Sequence, residues 1–332
     1  MNRIVYILLS LVMVICASEG FAQNKAKQSM RRLIHKTDSL LTQKYERTNY
    51  DTNYIRRPET KLTLTGRLNF SGQRIRTKGL TSDGMHFSSR ADADYKATVS
   101  IGANYAGVGL NLSLNPGKLA GKYRDYELNF SKYGNTWGGE ISYQDAKNFK
   151  GWYDREGVGK QDIPNDVLHL RTLNINFYYA FNHRKFSYPA AFSQTYIQRH
   201  SAGSVLLAMS YQGQWGDSES PEGLLKLRIN NIGIGGGYGY NCVPSEKWLL
   251  HISAMPTFVV YSHASATLDD KRTPLRHRFP EVIITSRGAV VRNFSRSFMG
   301  MSMVFNFSNV GDSDNEIRNI KWLMRIFYGV RL

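Results

Sequence analysis

The chain has 332 residues, 42% hydrophobic, 12% aromatic and 21% charged, with a formal net charge of +17. That is too apolar for a disordered chain, and its 2 cysteines are too few to staple a disulfide mini-domain. A mean hydropathy of −0.40 argues against a bundle of membrane helices.

The chain opens on a short positive start, Met1-Asn2-Arg3, followed by an almost unbroken apolar run from Ile4 to Ala17. Gly20 and Ala22 then occupy small-residue positions, so residues 1–22 read as a secretory signal peptide cleaved after Ala22. The run is shorter than the ~20 residues of a membrane-spanning helix. Met13-Val14-Ile15 before Cys16 fits a lipoprotein site poorly. Cleavage would leave Cys242 alone, and Arg3 and Glu19 cancel, so the charge of +17 is kept. Residues 23–59 are expected as an N-terminal periplasmic segment. Met30, Leu33, Ile34, Leu40, Leu41 and Tyr45 fall near helical spacing among Lys and Arg, which predicts a basic amphipathic helix over about 26–46.

From residue 60 the period changes to two. Leu62, Leu64, Leu68 and Phe70 alternate with polar residues, as do Leu173, Ile175, Phe177 and Tyr179. Met299, Met301, Met303 and Phe305 do so again, and Trp322, Met324, Ile326, Tyr328, Val330 and Leu332 do so in the final segment. About twelve such segments follow one another to residue 332, most of ten residues or more. Strands in soluble proteins average about five or six residues, whereas a tilted strand needs about nine to eleven to cross a bilayer. Links alternate between short and long, the arrangement of an outer-membrane protein with short periplasmic turns and long outer loops. One link, 183–200, is long where a short turn is expected. The predicted fold is therefore all-β: an antiparallel transmembrane β-barrel of about 12 strands over 60–332. Its lumen would be basic, lined by Arg67, Lys96, Arg171, Lys226, Arg228, Lys321, Arg325 and Arg331. A slip in the alternation near Asn230-Asn231 predicts a β-bulge there.

Tyr50-Asp51-Thr52-Asn53-Tyr54-Ile55, with Tyr188-Pro189-Ala190-Ala191-Phe192-Ser193-Gln194, Ser201-Ala202-Gly203-Ser204 and Gly237-Tyr238-Gly239-Tyr240-Asn241, resembles the family catalogued as domain of unknown function 4421. Those are exported proteins of Bacteroidota-type bacteria that look like outer-membrane barrels without an assigned activity. Tyr50, Asp51 and Tyr54 carry the first of these motifs. The resemblance implies that the long 183–200 link is a family feature, and it supplies no catalytic residues.

Gly233 to Gly239 departs from G-x-G-x-x-G because Tyr238 stands at the third glycine, so a glycine-rich strand leaving room for a neighbour or plug is expected. His251 lies two residues before Ser253 and so on the same strand face, within reach for general-base activation, with Asn241 a possible partner across the turn. Twelve-stranded outer-membrane phospholipases use a similar His-x-Ser pair, but present it to lipid; here the alternation turns His251 and Ser253 to the lumen. No zinc spacing occurs among the 8 His. Asp312, Asp314 and Glu316 alternate in an outer loop and are the candidate Ca²⁺ ligands, although they lack EF-hand spacing. No cofactor is expected.

Residues 24–59 hold nine Lys/Arg against four Asp/Glu, so the positive charge is distributed and does not form one nucleic-acid patch. The expected partners are outer-membrane lipid, lipopolysaccharide, the barrel-assembly machinery and anionic solutes, not nucleic acid. The expected function is non-enzymatic: a pore, transporter or envelope-assembly component in the outer membrane of a Gram-negative bacterium. The alternatives are a lipid hydrolase or acyl-modifying enzyme on His251 and Ser253, and a secreted β-sandwich adhesin.

Overall fold

A computed structural model describes residues 49–80, 84–93, 95–105, 108–114, 126–147, 149–163, 167–220, 223–268, 271–275, 281–311 and 316–332. The expected signal peptide and the expected 26–46 helix lie outside the described residues. The strands in chain order are β1 (Ile55–Arg56), β2 (Leu62–Leu80), β3 (His86–Ala93), β4 (Lys96–Tyr105), β5 (Val108–Leu114), β6 (Tyr126–Lys132), β7 (Trp137–Ala146), β8 (Phe149–Arg155), β9 (Gly159–Ile163) and β10 (Leu168–Ala180). After the short helix α1 (Tyr188–Phe192) come β11 (Ile197–Gln198), β12 (Ala202–Ser220), β13 (Gly223–Ser245), β14 (Trp248–Leu268), β15 (Lys271–Leu275), β16 (Val282–Asn293), β17 (Ser297–Gly311) and β18 (Glu316–Arg331).

All pairings are antiparallel. Among the described residues the ladder runs β2-β4-β5-β6-β7-β10-β12-β13-β14-β16-β17-β18, and β18 returns to β2 from Arg331↔Thr63 to Glu316↔Lys78. Twelve strands are thus hydrogen-bonded in a ring, which leaves none of these strands with an unpaired edge. The long links predicted after the first and fifth segments are partly strand as well. β3 pairs with the far half of β2 and with β8, and β8 pairs with β9. β15 folds back on the end of β14. These four strands were missed because short polar segments carry little alternation.

Successive residues point to opposite faces of a strand, and here the faces invert the soluble pattern. Met299, Met301 and Met303 are about 45% exposed, while Ser302 and Val304 between and beside them are buried. Leu68, Ile101, Ile175, Ile252 and Ile326 are exposed, whereas Asn69, Gln73, Gln144, Asn231, Thr285 and Asn319 are buried. Apolar side chains are normally the inside ones, so the outer face of this ring is the oily one.

One end of the ring is filled. Phe186, Tyr188 and Ala191 are fully buried, as are Ser187, Gln194 and Gln198 to within 1%. Tyr188 and Phe186 pack with Tyr178, Leu206 and Met255 of β10, β12 and β14. Ala190 and Ala191 pack with Leu249, Val291, Phe298 and Phe327 of β14, β16, β17 and β18. Residues 183–200 therefore bridge walls on different sides of the ring. The predicted exception to the link pattern is an ordered internal plug.

The expected bulge lies elsewhere than predicted. The β13–β14 register shifts at Ile232/Gly233, where Ile232 faces Tyr261 and Gly233 faces Val259, so the extra residue is Val260 of β14. β13 keeps its phase, with Ile229, Asn231 and Asn241 all buried.

Candidate functional site

The plug is held by a hydrogen-bond cluster rising from β13 and β14. Asn241 and His251 are directly opposed in the ladder, and His251 and Ser253 share a face. His251 Nδ1 lies 2.6 Å from Asn241 Oδ1, and His251 Nε2 lies 3.0 Å from Ser253 Oγ. Asn241 gives both amide hydrogens away, to the Ser187 carbonyl at 2.8 Å and to Gln198 Oε1 at 2.9 Å. Its Oδ1 must then accept, so His251 Nδ1 donates and Nε2 accepts from the Ser253 hydroxyl. Gln198 continues the network, donating to the carbonyls of Lys185 and His200 at 2.6 and 2.9 Å.

This is the geometry of a Ser–His–Asn arrangement, yet all three residues are buried, with Asn241 wholly so. The rings of Phe186, Tyr188 and Phe192 pack around His251 with centroids 4.9–6.1 Å away. Tyr188 OH stands 3.5 Å from Ser253 Oγ. The side-chain hydrogen bonds that Asn241 makes outside its own hairpin both go to the plug.

The Tyr50-Asp51-Tyr54 motif docks on the plug. Asp51 caps its own turn, accepting from the backbone N–H of Asn53 at 2.9 Å. The Asp51 N–H donates to the Arg184 carbonyl, and β1 pairs with β11. Tyr54 packs edge-on to His200 with Lys185 over its ring. Tyr50 packs against Tyr196, and Arg57 lies over both rings and donates to the Tyr196 hydroxyl. Burial pushes the Tyr50 phenol above its usual range, against the pull of Arg57. Two motifs far apart in sequence thus form one structural unit.

Beyond the plug the ring interior is charged. Arg287 of β16 reaches Glu140 of β7 at 2.9 Å, and Tyr133 OH lies within 3.2 Å of both partners. The side chains of Arg287 and Glu140 are 4% and 13% exposed. The Arg287 guanidinium also sits over Tyr188 and Phe192 of the plug, 6.0 and 5.8 Å from the ring centroids. Lys321 of β18 donates to Gln144 of β7, a second bridge across the interior. Two cavities flank these bridges, one bordered by Arg67, Arg325 and Tyr133, the other by Arg287 and Lys321, both touching Glu140.

The predicted basic residues divide. Arg67, Lys321 and Arg325 border the inner cavities. Arg331 is buried and clamps the plug, donating to Asn293 Oδ1 at 2.8 Å and to the Gln194 carbonyl at 3.4 Å, while lying over Phe298. Arg171, Lys226 and Arg228 require correction. Arg171 sits between the buried Leu170 and Thr172, so it points the other way, and pairs with Asp217 at 2.9 Å. Lys226 and Arg228 alternate with the inward Ile229 because β13 keeps its phase. Of Lys96 only the backbone is described.

Asp312 and Asp314 lie outside the described residues. Glu316 is held by Arg318 and Asn309 at 2.8 Å each, and no acidic or His cluster suited to a metal occurs among the described residues. Glu140, Tyr133 and Arg287 were not singled out from sequence. The available signal was a carboxylate in the inward phase of a long alternating segment, between the outward Trp137 and Ile141.

The family described as Domain of unknown function (DUF4421) matches residues 49–332, and the chain belongs to it. No curated protein matches the chain. Solved structures similar to it include the outer membrane protease OmpT from Escherichia coli, 9% identical over 83% of this chain and 97% of that one, with a TM-score of 0.45. The outer membrane protein OprG from Pseudomonas aeruginosa is 10% identical over 84% and 98%, with a TM-score of 0.29. The transport unit of the autotransporter AIDA-I from Escherichia coli is 11% identical over 87% and 97%, with a TM-score of 0.29.

Proposed function

We propose that the protein is a twelve-stranded outer-membrane β-barrel with a wet, basic interior, closed at its periplasmic end by residues 183–200, and that it acts in gated passage or binding of solutes rather than as a permanently open pore. The outer face supports the membrane reading. Trp248 and Tyr261, both exposed, stand thirteen residues apart on β14 with apolar residues facing outward between them. A strand of that length tilted about 45° rises roughly 30 Å, near the thickness of a hydrocarbon layer with aromatic residues at each interface.

The observation that carries the gating reading is the plug packed against walls on different sides of the ring. The test is conductance in planar bilayers of the full chain and of a variant in which 184–199 is replaced by a short Gly/Ser turn. The intact protein is expected to be closed or to flicker, and the variant to show a stable ohmic pore. An intact protein that conducts steadily at the level of the variant contradicts the proposal.

A second reading, ester hydrolysis at Ser253, is favoured by the Asn241–His251–Ser253 hydrogen-bond order. It requires the plug to move, because Tyr188 stands against the serine and Phe192 against the histidine. Covalent labelling of Ser253 by a fluorophosphonate, in the intact or plug-replaced chain, would support it; no labelling in either ends it.

A further inference from the structure

Among the described residues, four cations line the two cavities inside the ring, and one carboxylate faces them. Arg67 and Arg325 border the first cavity, Arg287 and Lys321 the second, and Glu140 both. Glu140 is already engaged by Arg287 and Tyr133. Arg325 is registered against Asn69 and Arg67 against Phe327, which makes the two arginines diagonal neighbours on the inward face of adjacent strands, roughly 7–8 Å apart along the backbone. Two guanidiniums held this way repel each other, and an anion bound between them relieves that repulsion.

The rest of that wall is also donor-rich. The Asn69 amide donates to Thr98 Oγ1 and Ser100 Oγ, each at 3.0 Å. Those hydroxyls use a lone pair there and keep their own hydrogens for donation. Thr98, Ser100 and Ser193 all border the same cavity. A pocket offering two planar forks and several hydroxyl donors, with an excess of three positive charges over the two cavities, suits a multiply charged, acceptor-only group.

We propose that the interior between Arg67 and Arg325 binds a phosphate-class oxyanion, either free inorganic phosphate or the phosphate of a small phosphomonoester. The proposal rests on the reading of a wet barrel interior and names the solute class it takes. Arg67 and Arg325 are the binding residues; Glu140, which borders the same cavity, is engaged by Arg287.

The test is thermal unfolding of the detergent-purified full chain, titrated with inorganic phosphate, with glycerol phosphate, and with chloride at matched ionic strength. Wild type is expected to gain several degrees with phosphate and little with chloride. A response to glycerol phosphate at least as strong as to inorganic phosphate assigns the site to a phosphomonoester, and the reverse order assigns it to the free ion. Arg325→Gln, and separately Arg67→Gln with Arg325→Gln, should weaken the phosphate response at least ten-fold, while the outward Arg171→Gln leaves it intact. In phosphate-free buffer the double variant should unfold at a higher temperature than wild type, because the repulsion is gone. Equal responses to chloride and phosphate, or an Arg325→Gln titration matching wild type, overturn the site. Such a failure in a protein that still requires detergent leaves the barrel reading standing; a protein soluble without detergent contradicts that reading itself.

Discussion

Arg287 and Glu140 meet across the interior of the ring, 2.9 Å apart, on strands that are not neighbours in the ladder. The pair ties β16 to β7 immediately beyond the plug, whose aromatic rings lie over the guanidinium. Removing one member of a buried ion pair leaves an uncompensated charge, at a cost of about 3–5 kcal/mol. Arg287→Met and Glu140→Gln are each expected to destabilise by that order in equilibrium unfolding from detergent micelles. The double variant should lose less than the sum, because neither charge is then stranded.

Asn241 is the hub between barrel wall and plug. Asn241→Ala strands the buried His251 Nδ1 and takes one donor each from the Ser187 carbonyl and from Gln198 Oε1, which still accepts from the Ser187 N–H at 2.9 Å. An unsatisfied buried group costs about 1–3 kcal/mol. The plug should loosen before the barrel does. Limited proteolysis is expected to cut within 183–200 in the variant at protease levels that leave wild type intact, with β-sheet circular dichroism unchanged.

Gly239 is a space requirement and not a turn. A Cβ there would sit 3.0 Å from Phe186 Cζ and 3.3 Å from Leu206 Cδ1. Gly239→Val should displace Phe186 from the wall, costing about 1–3 kcal/mol as overpacking, and raise bilayer conductance in the way that replacing the plug does. Unchanged conductance with the same loss of stability would separate packing from gating.

Asp92 links β3 to β2. Its carboxylate accepts from Arg74 Nε and Arg90 Nε at 2.6 Å each. Burial raises its pKa, but the two arginines outweigh burial and hold it below the usual range. A depressed carboxylate stabilises above its unfolded pKa, about 3.9, and the contribution disappears as pH falls through the lower folded value. Hydrogen exchange in β3 should therefore quicken below about pH 4 in wild type, while Asp92→Asn shows weakened protection already at neutral pH and no added loss on acidification.

The ring strands were legible because period two is geometric and the two faces of each strand differ in polarity. Met299, Met301 and Met303 reveal their face without any knowledge of neighbours. Arg228 misled for an identifiable reason: the apolar Leu227 and Ile229 on either side of it read as the oily face, but Ile229 is 1% exposed and lies on the inward face of β13. Inner positions near the plug are apolar too, as Val291 and Ala289 show, so alternation loses its contrast there. His251, Ser253 and Asn241 were legible as a possible set because two lie on one strand and the third just across its turn. Glu140 and Arg287 were not, since 147 residues separate them and only ring closure brings them together.

The central claim, that the oily face meets lipid and the polar face meets an enclosed wet interior, is tested by attaching a fluorophore at single cysteines in a Cys242→Ser background and reconstituting the protein into vesicles of brominated lipid. Met301→Cys on the exposed face should be strongly quenched by the lipid, and Ser302→Cys, its buried neighbour, should resist the lipid quencher. Equal quenching at both positions, or a protein that stays in the aqueous phase without vesicles, would contradict the account.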